Sequence, residues 1–365
     1  MSAPNEILNL MMMASGDNDS YQVSRSLRFN SEDSPNLNRT FAASPTDRKK
    51  MTLSLWLKRT KLGVEHWFFG GYDGSSVNAN ALGFSSGDKL YTLHGSGSLS
   101  NMLSTQVFRD TSAWYHFVFA YDMSNATTSN RVRVWVNGIQ ITTWDSTYYP
   151  DSNLQYLLNN ANNRIGSTYV PEQFVDAYLA QIHCIDGQVL TPTSFAQSDT
   201  NGRWVPKAYS GTYGTNGFYL NFSDNSGITA ATLGKDYSGN SNNWTPNNFS
   251  VTAGVNNDSF TDTPTNYGSD TGLGGEVRGN YATLNPIFVG GSNGQSVNGN
   301  LQHYMPINNL GNVSTIALPD IGKWYAEFTI GGVSEISIGV VKAYSSQFFG
   351  NNNQIVGQQT SNEAW

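Results

Sequence analysis

Asp236, Ser238, Asn240 and Asn242 place oxygen-bearing side chains at alternate positions of one short stretch, and Asp224-Asn225-Ser226 adds more oxygen nearby. Such oxygens suit a hard cation, and calcium is the cofactor this spacing suggests. No Glu follows at the spacing of a full EF-hand loop, and the same pattern also reads as a cluster of Asx turns. Tyr72-Asp73 and Tyr148-Tyr149-Pro150-Asp151 set aromatic faces beside carboxylates. That is the chemistry of a carbohydrate platform, although exposed loop tyrosines also serve protein interfaces. Retaining glycoside hydrolysis needs two carboxylates about 5.5 Å apart. On a strand, this means acids at alternate positions of one face. No such run occurs: the nearest acid clusters are Asp17/Asp19 and Glu32-Asp33. The five His are scattered, and His116 reads as structural. The single Cys184 rules out an internal disulfide framework and offers no thiolate motif, so it reads as a buried, inert thiol. No enzymatic activity is expected.

The elements that would position these residues are strands. AWYHFVFAYD, RVRVWVNG and IQITTW read as three strands between residues 113 and 144. Asn137-Gly138 is a strong hairpin signal, because a type I′ turn needs positive φ at both central residues. A two-residue turn pairs Val136 with Ile139, Val134 with Ile141 and Val132 with Thr143 on a dry face. Arg133/Thr142, Trp135/Gln140 and Arg131/Trp144 fall on a wet one. Further strands are expected at 26–29, 51–58, 66–69, 81–84, 89–93, 164–167 and 176–185, with Met51, Leu53, Leu55 and Leu57 inward. In the last of these, Tyr178, Ala180, Ile182 and Cys184 should share a face. A short helical turn is expected within 188–199. Many short strands with frequent turn signals predict an all-β chain, an antiparallel β-sandwich.

Charged residues make up 13% of the 365, about half the usual share. Polarity comes instead from Asn, Ser, Thr and Gly. A net charge of -7, with no basic run beyond Arg48-Lys49-Lys50, argues against nucleic acid. No stretch approaches the ~20 apolar residues of a membrane span, and the N-terminus lacks the basic region of a signal peptide. N-x-S/T triplets such as Asn125-Ala126-Thr127 and Asn221-Phe222-Ser223 read as a by-product of this composition. Residues 1–20 form an arm whose apolar segment, 7–13, docks on a partner or is a disordered leader.

LSLWLK, AWYHFVFAYD, RVRVWVNGIQI and DAYLAQIHCIDGQVLTPTSF resemble successive strands of a laminin-G-like, concanavalin A-like lectin domain, over roughly residues 24 to 200. The organisation expected is an arm (1–20), a laminin-G-like sandwich (21–202), a Gly/Asn/Thr-rich connector (203–300) and a final β segment (301–365). Trp204, Tyr209, Tyr213, Tyr219 and Trp244 offer the connector anchors. In the last segment GKWYAEFTI and ISIGVV resemble the opening of a SPRY domain, a second β-sandwich that usually needs more chain than remains here, so it is expected to be partial. The whole resembles proteins of tailed phages of marine bacteria. That resemblance implies a non-enzymatic virion protein, a fibre, appendage or decoration. It would be assembled in the host cytoplasm and exposed on the particle, held to other virion proteins by its arm, and homo-oligomeric, with a trimer favoured. Its partner would be a host-surface glycan, with no nucleic acid and no membrane insertion. The alternative is a bacterial surface or secreted carbohydrate-binding adhesin. Laminin-G-like domains often bind calcium at one rim, so the resemblance also implies calcium, with Asp236 and its neighbours as the ligands.

Overall fold

A computed structural model describes residues 20–72, 80–95, 100–152, 162–168, 172–268, 277–289, 295–304 and 312–318. The arm segment 7–13, Asp73, and the stretches 322–330 and 336–341 lie outside the described residues. In chain order the strands are β1 (Ser26–Phe29), β2 (Asn36–Thr40), β3 (Lys50–Arg59), β4 (His66–Tyr72), β5 (Asn80–Phe84), β6 (Lys89–His94), β7 (Ser100–Val107) and β8 (Tyr115–Asp122). There follow β9 (Val132–Val136), β10 (Ile139–Gln140), β11 (Trp144–Thr147), β12 (Asn162–Ile165), β13 (Ala177–Asp186), β14 (Ala196–Ser198), β15 (Trp204–Pro206) and β16 (Phe218–Leu220). Last come β17 (Thr245–Asn247), β18 (Ser259–Phe260), β19 (Leu284–Val289), β20 (Gln295–Val297), β21 (Gln302–Tyr304) and β22 (Asn312–Ser314). Among the described residues, no helix is long and apolar enough to cross a membrane.

Two antiparallel sheets of eight strands face each other. One runs β10-β9-β8-β3-β13-β1-β18, with β16 also on β13; the other runs β11-β7-β6-β5-β4-β12-β2-β17. The all-β sandwich is the expected fold class. Its core is built by alternation: Met51, Leu53, Leu55 and Leu57 of β3 point inward as expected, beside Phe117 and Phe119 of β8. Leu82, Phe84, Leu90 and Met102 meet them from the second sheet. The Gly/Asn/Thr-rich stretch contributes strands to both sheets, since β16 pairs with β13, β17 with β2 and β18 with β1. Trp244 of that stretch is fully buried, 4.7 Å from the ring of Phe218.

The hairpin turn forms as expected, with φ of 48° at Asn137 and 82° at Gly138. Ile139 pairs with Val136 and Gln140 with Trp135, and the Ile141 N–H reaches the Val134 carbonyl. Beyond that point the expected register fails. The chain leaves the first sheet after Gln140, and Trp144 opens β11 opposite Ser104 in the second. The pairs Val132/Thr143, Arg133/Thr142 and Arg131/Trp144 therefore do not form.

Two other expectations are corrected. The face of the first sheet expected to be wet is covered by later chain: Trp56, Lys58 and Trp135 are all buried. Lys58 Nζ, in place of water, donates to Asp262 (2.8 Å), Asn280 (2.8 Å) and the Tyr281 carbonyl (2.7 Å). Nor do Tyr178, Ala180, Ile182 and Cys184 share a face. Gln181 adopts a φ of 49°, and the β13–β3 register shifts between Ala180 and His183. This is a β-bulge, in which two residues oppose one and the side-chain alternation inverts. Before it Ala177 and Leu179 point into the core; after it Ile182 and Cys184 do. Tyr178 and Ala180 pack instead with Trp56 and Trp114 on the outer side. Cys184 is buried as expected, and burial pushes its thiol up. The expected helical turn is Pro192–Ser194.

Lys58→Met would leave Asp262 buried without its cation, 5% exposed at its side chain. Breaking a buried pair costs about 3–5 kcal/mol. Urea unfolding should show a loss of that order, and one below about 1 kcal/mol would mean that this contact does not hold Asp262, Asn280 and Tyr281 to the sheet. Three histidines set the acid limit. His94, His116 and His183 are held at about 3 against an ordinary 6.5, by burial in each case, with His183 adding to His116. The folded protein thus binds fewer protons than the unfolded chain within that window, and stability present above it is lost as the pH falls. Each histidine adds a slope of up to about 1.4 kcal/mol per pH unit. Urea midpoints at pH 7.5, 6 and 5 should fall steadily, whereas equal midpoints would show that these side chains stay accessible to protons.

Candidate functional site

Antiparallel pairing gathers several loops at one end of the second sheet. Gly71 pairs with Asn80, Asn80 with His94, and His94 with Ser100. Thr147 lies opposite Met102, and Asn162 opposite Tyr72. The connections after β4, β6 and β11 therefore leave from the same rim. Tyr148 stands there 59% exposed, its N–H bound to the Asn101 carbonyl at 2.7 Å. Tyr149 is half-buried against the core, and Pro150 is buried. Arg131 donates to the carbonyls of Pro150 (3.0 Å) and Asn125 (3.1 Å), tying this loop to the one after β8. Asp151 is exposed beside them. The anchored Tyr149-Pro150 pair fixes a short outward segment that presents an aromatic face and a carboxylate to solvent.

Tyr72 ends β4 on the same rim; nothing is described of its side chain. Four strand spacings, roughly 19 Å, separate it from Tyr148, so the two expected Tyr/Asp groups share a rim without forming one platform.

The structure also brings together Asp236, Ser238, Asn240 and Asn242, but around the carboxylate rather than around a vacant centre. Asp236 Oδ1 accepts from the N–H groups of Tyr219 and Ser238, each at 2.8 Å. Its Oδ2 accepts from the Ser238 hydroxyl (2.8 Å) and the Asn242 N–H (2.7 Å). Two donors on each oxygen fill the lone pairs of a carboxylate. Asn240 and Asn242 turn their amide nitrogens to the Gly217 carbonyl, both at 2.9 Å. Asn242 Oδ1 accepts from Arg39 at 2.6 Å, so the cation beside this loop is a guanidinium. Among the described residues, no group of three or more His, Cys, Asp or Glu could hold a metal ion.

His116 lies wholly inside. Trp204 Nε1 donates to its Nδ1 at 3.0 Å, leaving Nε2 to donate to the Ser54 hydroxyl at 2.8 Å. Both nitrogens are thus committed, which fits the structural role expected of it. One polar group escaped sequence reasoning. Gln173 Nε2 donates to Glu65 Oε1 at 2.8 Å, and Trp67 Nε1 donates to Gln173 Oε1 at 2.8 Å, with the Tyr91 ring 5.3 Å from that of Trp67. Gln173 lies 108 residues from Glu65, and no local pattern marks the pair.

Because donors fill the Asp236 carboxylate, millimolar calcium should leave the melting temperature unchanged, and Asp236→Ala should cost about 1–3 kcal/mol. A calcium-dependent rise of several degrees, abolished by Asp236→Ala, would contradict this account.

Residues 33–196 match a family model described as the concanavalin A-like lectin/glucanases superfamily. No curated protein matches the chain significantly. Several solved structures are similar to the chain at low identity. A heptameric SAP-like pentraxin from Limulus polyphemus is 14% identical, with a TM-score of 0.35, over 47% of this chain and 80% of that one. A putative carbohydrate binding protein from Bacteroides ovatus is 13% identical, with a TM-score of 0.42, over 62% of this chain and 59% of that one. The IT-sialidase CBM40 of Ruminococcus gnavus is 12% identical, with a TM-score of 0.30, over 49% of this chain and 92% of that one. The two-sheet antiparallel sandwich and its inward alternation are consistent with the concanavalin A-like domain that the family model matches over residues 33–196.

Proposed function

We propose that this protein is a glycan-binding adhesion protein of a phage virion, a fibre, appendage or decoration, whose lectin-like domain engages a host-surface carbohydrate through the rim bearing Tyr148. One observation carries the binding reading. Aromatics are 13% of the chain, yet among the described residues Tyr148 is the one aromatic side chain left largely exposed, at 59%. Tyrosine, with an apolar ring and a polar hydroxyl, is enriched at binding surfaces. Here it sits on a loop pinned by Arg131, beside the Asp151 carboxylate. A sugar ring stacked on Tyr148 would present hydroxyls to Asp151, the division of labour seen in mostly apolar sites with few polar groups. The weakly charged, Asn/Ser/Thr-rich surface favours hydrogen-bonded, sequence-neutral partners over charged ones.

The virion assignment rests on the sequence resemblance to proteins of tailed marine phages. Residues 1–20 are its proposed attachment to other virion proteins, and a homotrimer is its proposed assembly. A glycan array probed with the full chain should give retained glycans, and Tyr148→Ala should weaken them tenfold or more while leaving the melting temperature within about 2 °C. An empty array, or a Tyr148→Ala chain that binds undiminished, would remove the rim reading. Electron microscopy of particles labelled with antibody to this chain separates the virion protein from a bacterial adhesin.

A further inference from the structure

On the outer side of the first sheet, an amine, a carboxamide and a carboxylate lie against one another. Lys58 Nζ, near the end of β3, is 2.8 Å from the Asn280 side-chain oxygen and 2.8 Å from Asp262 Oδ2. Main chain sets the two acceptors side by side. Asp262 forms a parallel bridge with Gly279, and the Thr263 N–H donates to the Gly279 carbonyl at 3.0 Å. Asp262 is held again at its Oδ1, which accepts from Trp114 Nε1 at 2.9 Å, and at its main-chain carbonyl, which accepts from the Ser26 hydroxyl at 2.6 Å. Asn280 Nδ2 donates to the Ser112 carbonyl at 2.6 Å, which turns the Asn280 oxygen toward the lysine. Lys58 is 0% exposed and Asp262 3%. Trp56, Trp114 and Tyr178 pack together on this side of the sheet, with the Tyr178 ring 5.9 Å from Nζ.

An amine beside a carboxamide carbon can displace its nitrogen. With a C=O length of about 1.23 Å, the contact to the Asn280 oxygen leaves Nζ roughly 3–4 Å from Asn280 Cγ. Bound groups react from about 3–3.5 Å. An ammonium has no lone pair and cannot attack, so a lysine nucleophile needs a base. Asp262 is that base. One proton passes from Nζ to Oδ2 and leaves an amine and a carboxylic acid, both neutral where water cannot solvate charge. The amine attacks Cγ, the Nζ–Cγ bond forms, and the carbonyl electron pair moves to the Asn280 oxygen. As that pair returns, the Cγ–Nδ2 bond breaks. Asp262 gives its proton to the departing nitrogen, takes a second from Nζ, and passes that one to the ammonia. The Lys58 ammonium and the Asn280 carboxamide thus become one secondary amide and one ammonium ion. Asp262 is regenerated and no electrons are exchanged. Ser112 and Asn280 are both only half-buried, which leaves the ammonia a way out.

We propose that Lys58 and Asn280 close an intramolecular isopeptide bond, with Asp262 as its general acid–base, tying a central strand to chain 222 residues away. The Lys58–Asp262 ion pair is the state before the bond closes. The proposal is independent of any glycan reading. Mass spectrometry of the purified full chain, fresh and after prolonged incubation, tests it. The denatured chain should be lighter than its sequence by the mass of one ammonia. A tryptic digest should yield one branched peptide, residues 51–59 joined to residues 279–323. Asn280→Ala, a change at a half-buried side chain, should restore the full mass and abolish that peptide. Asp262→Asn keeps both reacting groups, removes the base, and should do the same. The branched peptide reports chemistry that a merely structural hydrogen-bond network would not produce. The proposal is overturned if the native chain keeps its full mass and yields no branched peptide, or if the ammonia loss persists in Asn280→Ala, as it would from another asparagine. A branched peptide formed undiminished in folded Asp262→Asn would overturn the role given to Asp262.

Discussion

One inverted step in the alternation of β13 organises the molecule. β13 is the axis of the first sheet, paired with β3 along one side and with β1 and then β16 along the other. A straight ten-residue strand would put one set of side chains toward the core throughout. The bulge at Gln181 exchanges the sets midway. The strand thereby supplies Leu179 and Cys184 to the same core, while Tyr178 and His183 serve two different outer clusters. Gln181 is itself held: its side-chain oxygen accepts from the hydroxyls of Tyr21 (2.9 Å) and Tyr219 (2.5 Å). The left-handed residue is thus clamped from both the N-terminal side of β1 and from β16.

A sheet buried on both faces explains the chemistry of its outer side. Lys58 meets Asp262, Arg28 meets Asp258 at 2.9 Å, and His183 stacks on Tyr219 with ring centroids 4.1 Å apart. These groups would be ordinary surface residues on a sheet with one wet face. Here each must be paired, because a buried charge or donor without a partner is costly. The later chain delivers the partners: Asp258 and Asp262 flank β18, and Trp204 reaches across the hairpin turn to His116. Few charges are used overall, and several of those few are spent inside.

Much of the fold was legible. Period-two runs such as MTLSLWLK and the Asn-Gly turn state their structure locally, and both formed as read. β2, β7 and β11 were missed for the same reason in reverse: NLNRT, SNMLSTQV and WDST are polar and lack strong β formers, so only their neighbours in the sheet make them strands. The bulge was illegible because Gln181 carries no turn signature, and its effect was to misplace Tyr178 and Ala180. In the candidate site, Tyr148 and Asp151 could be named from residue type and loop position. The Asp236 cluster was found, but its internal hydrogen bonding was not readable from oxygen spacing. Gln173 meets Glu65 across 108 positions, and nothing local announces the pair.

The pairing of β1 has a consequence for how the chain is made. β1 lies between β13 and β18, so both its neighbours are synthesised after it, the nearer by some 150 residues and the farther by more than 220. Contacts so distant in sequence form late and slowly. Of the described strands, β1 is therefore among the last to be secured. Until residues near 260 emerge, its open edge must be shielded by something other than its own sheet, and the growing chain is most exposed to mispairing over that interval.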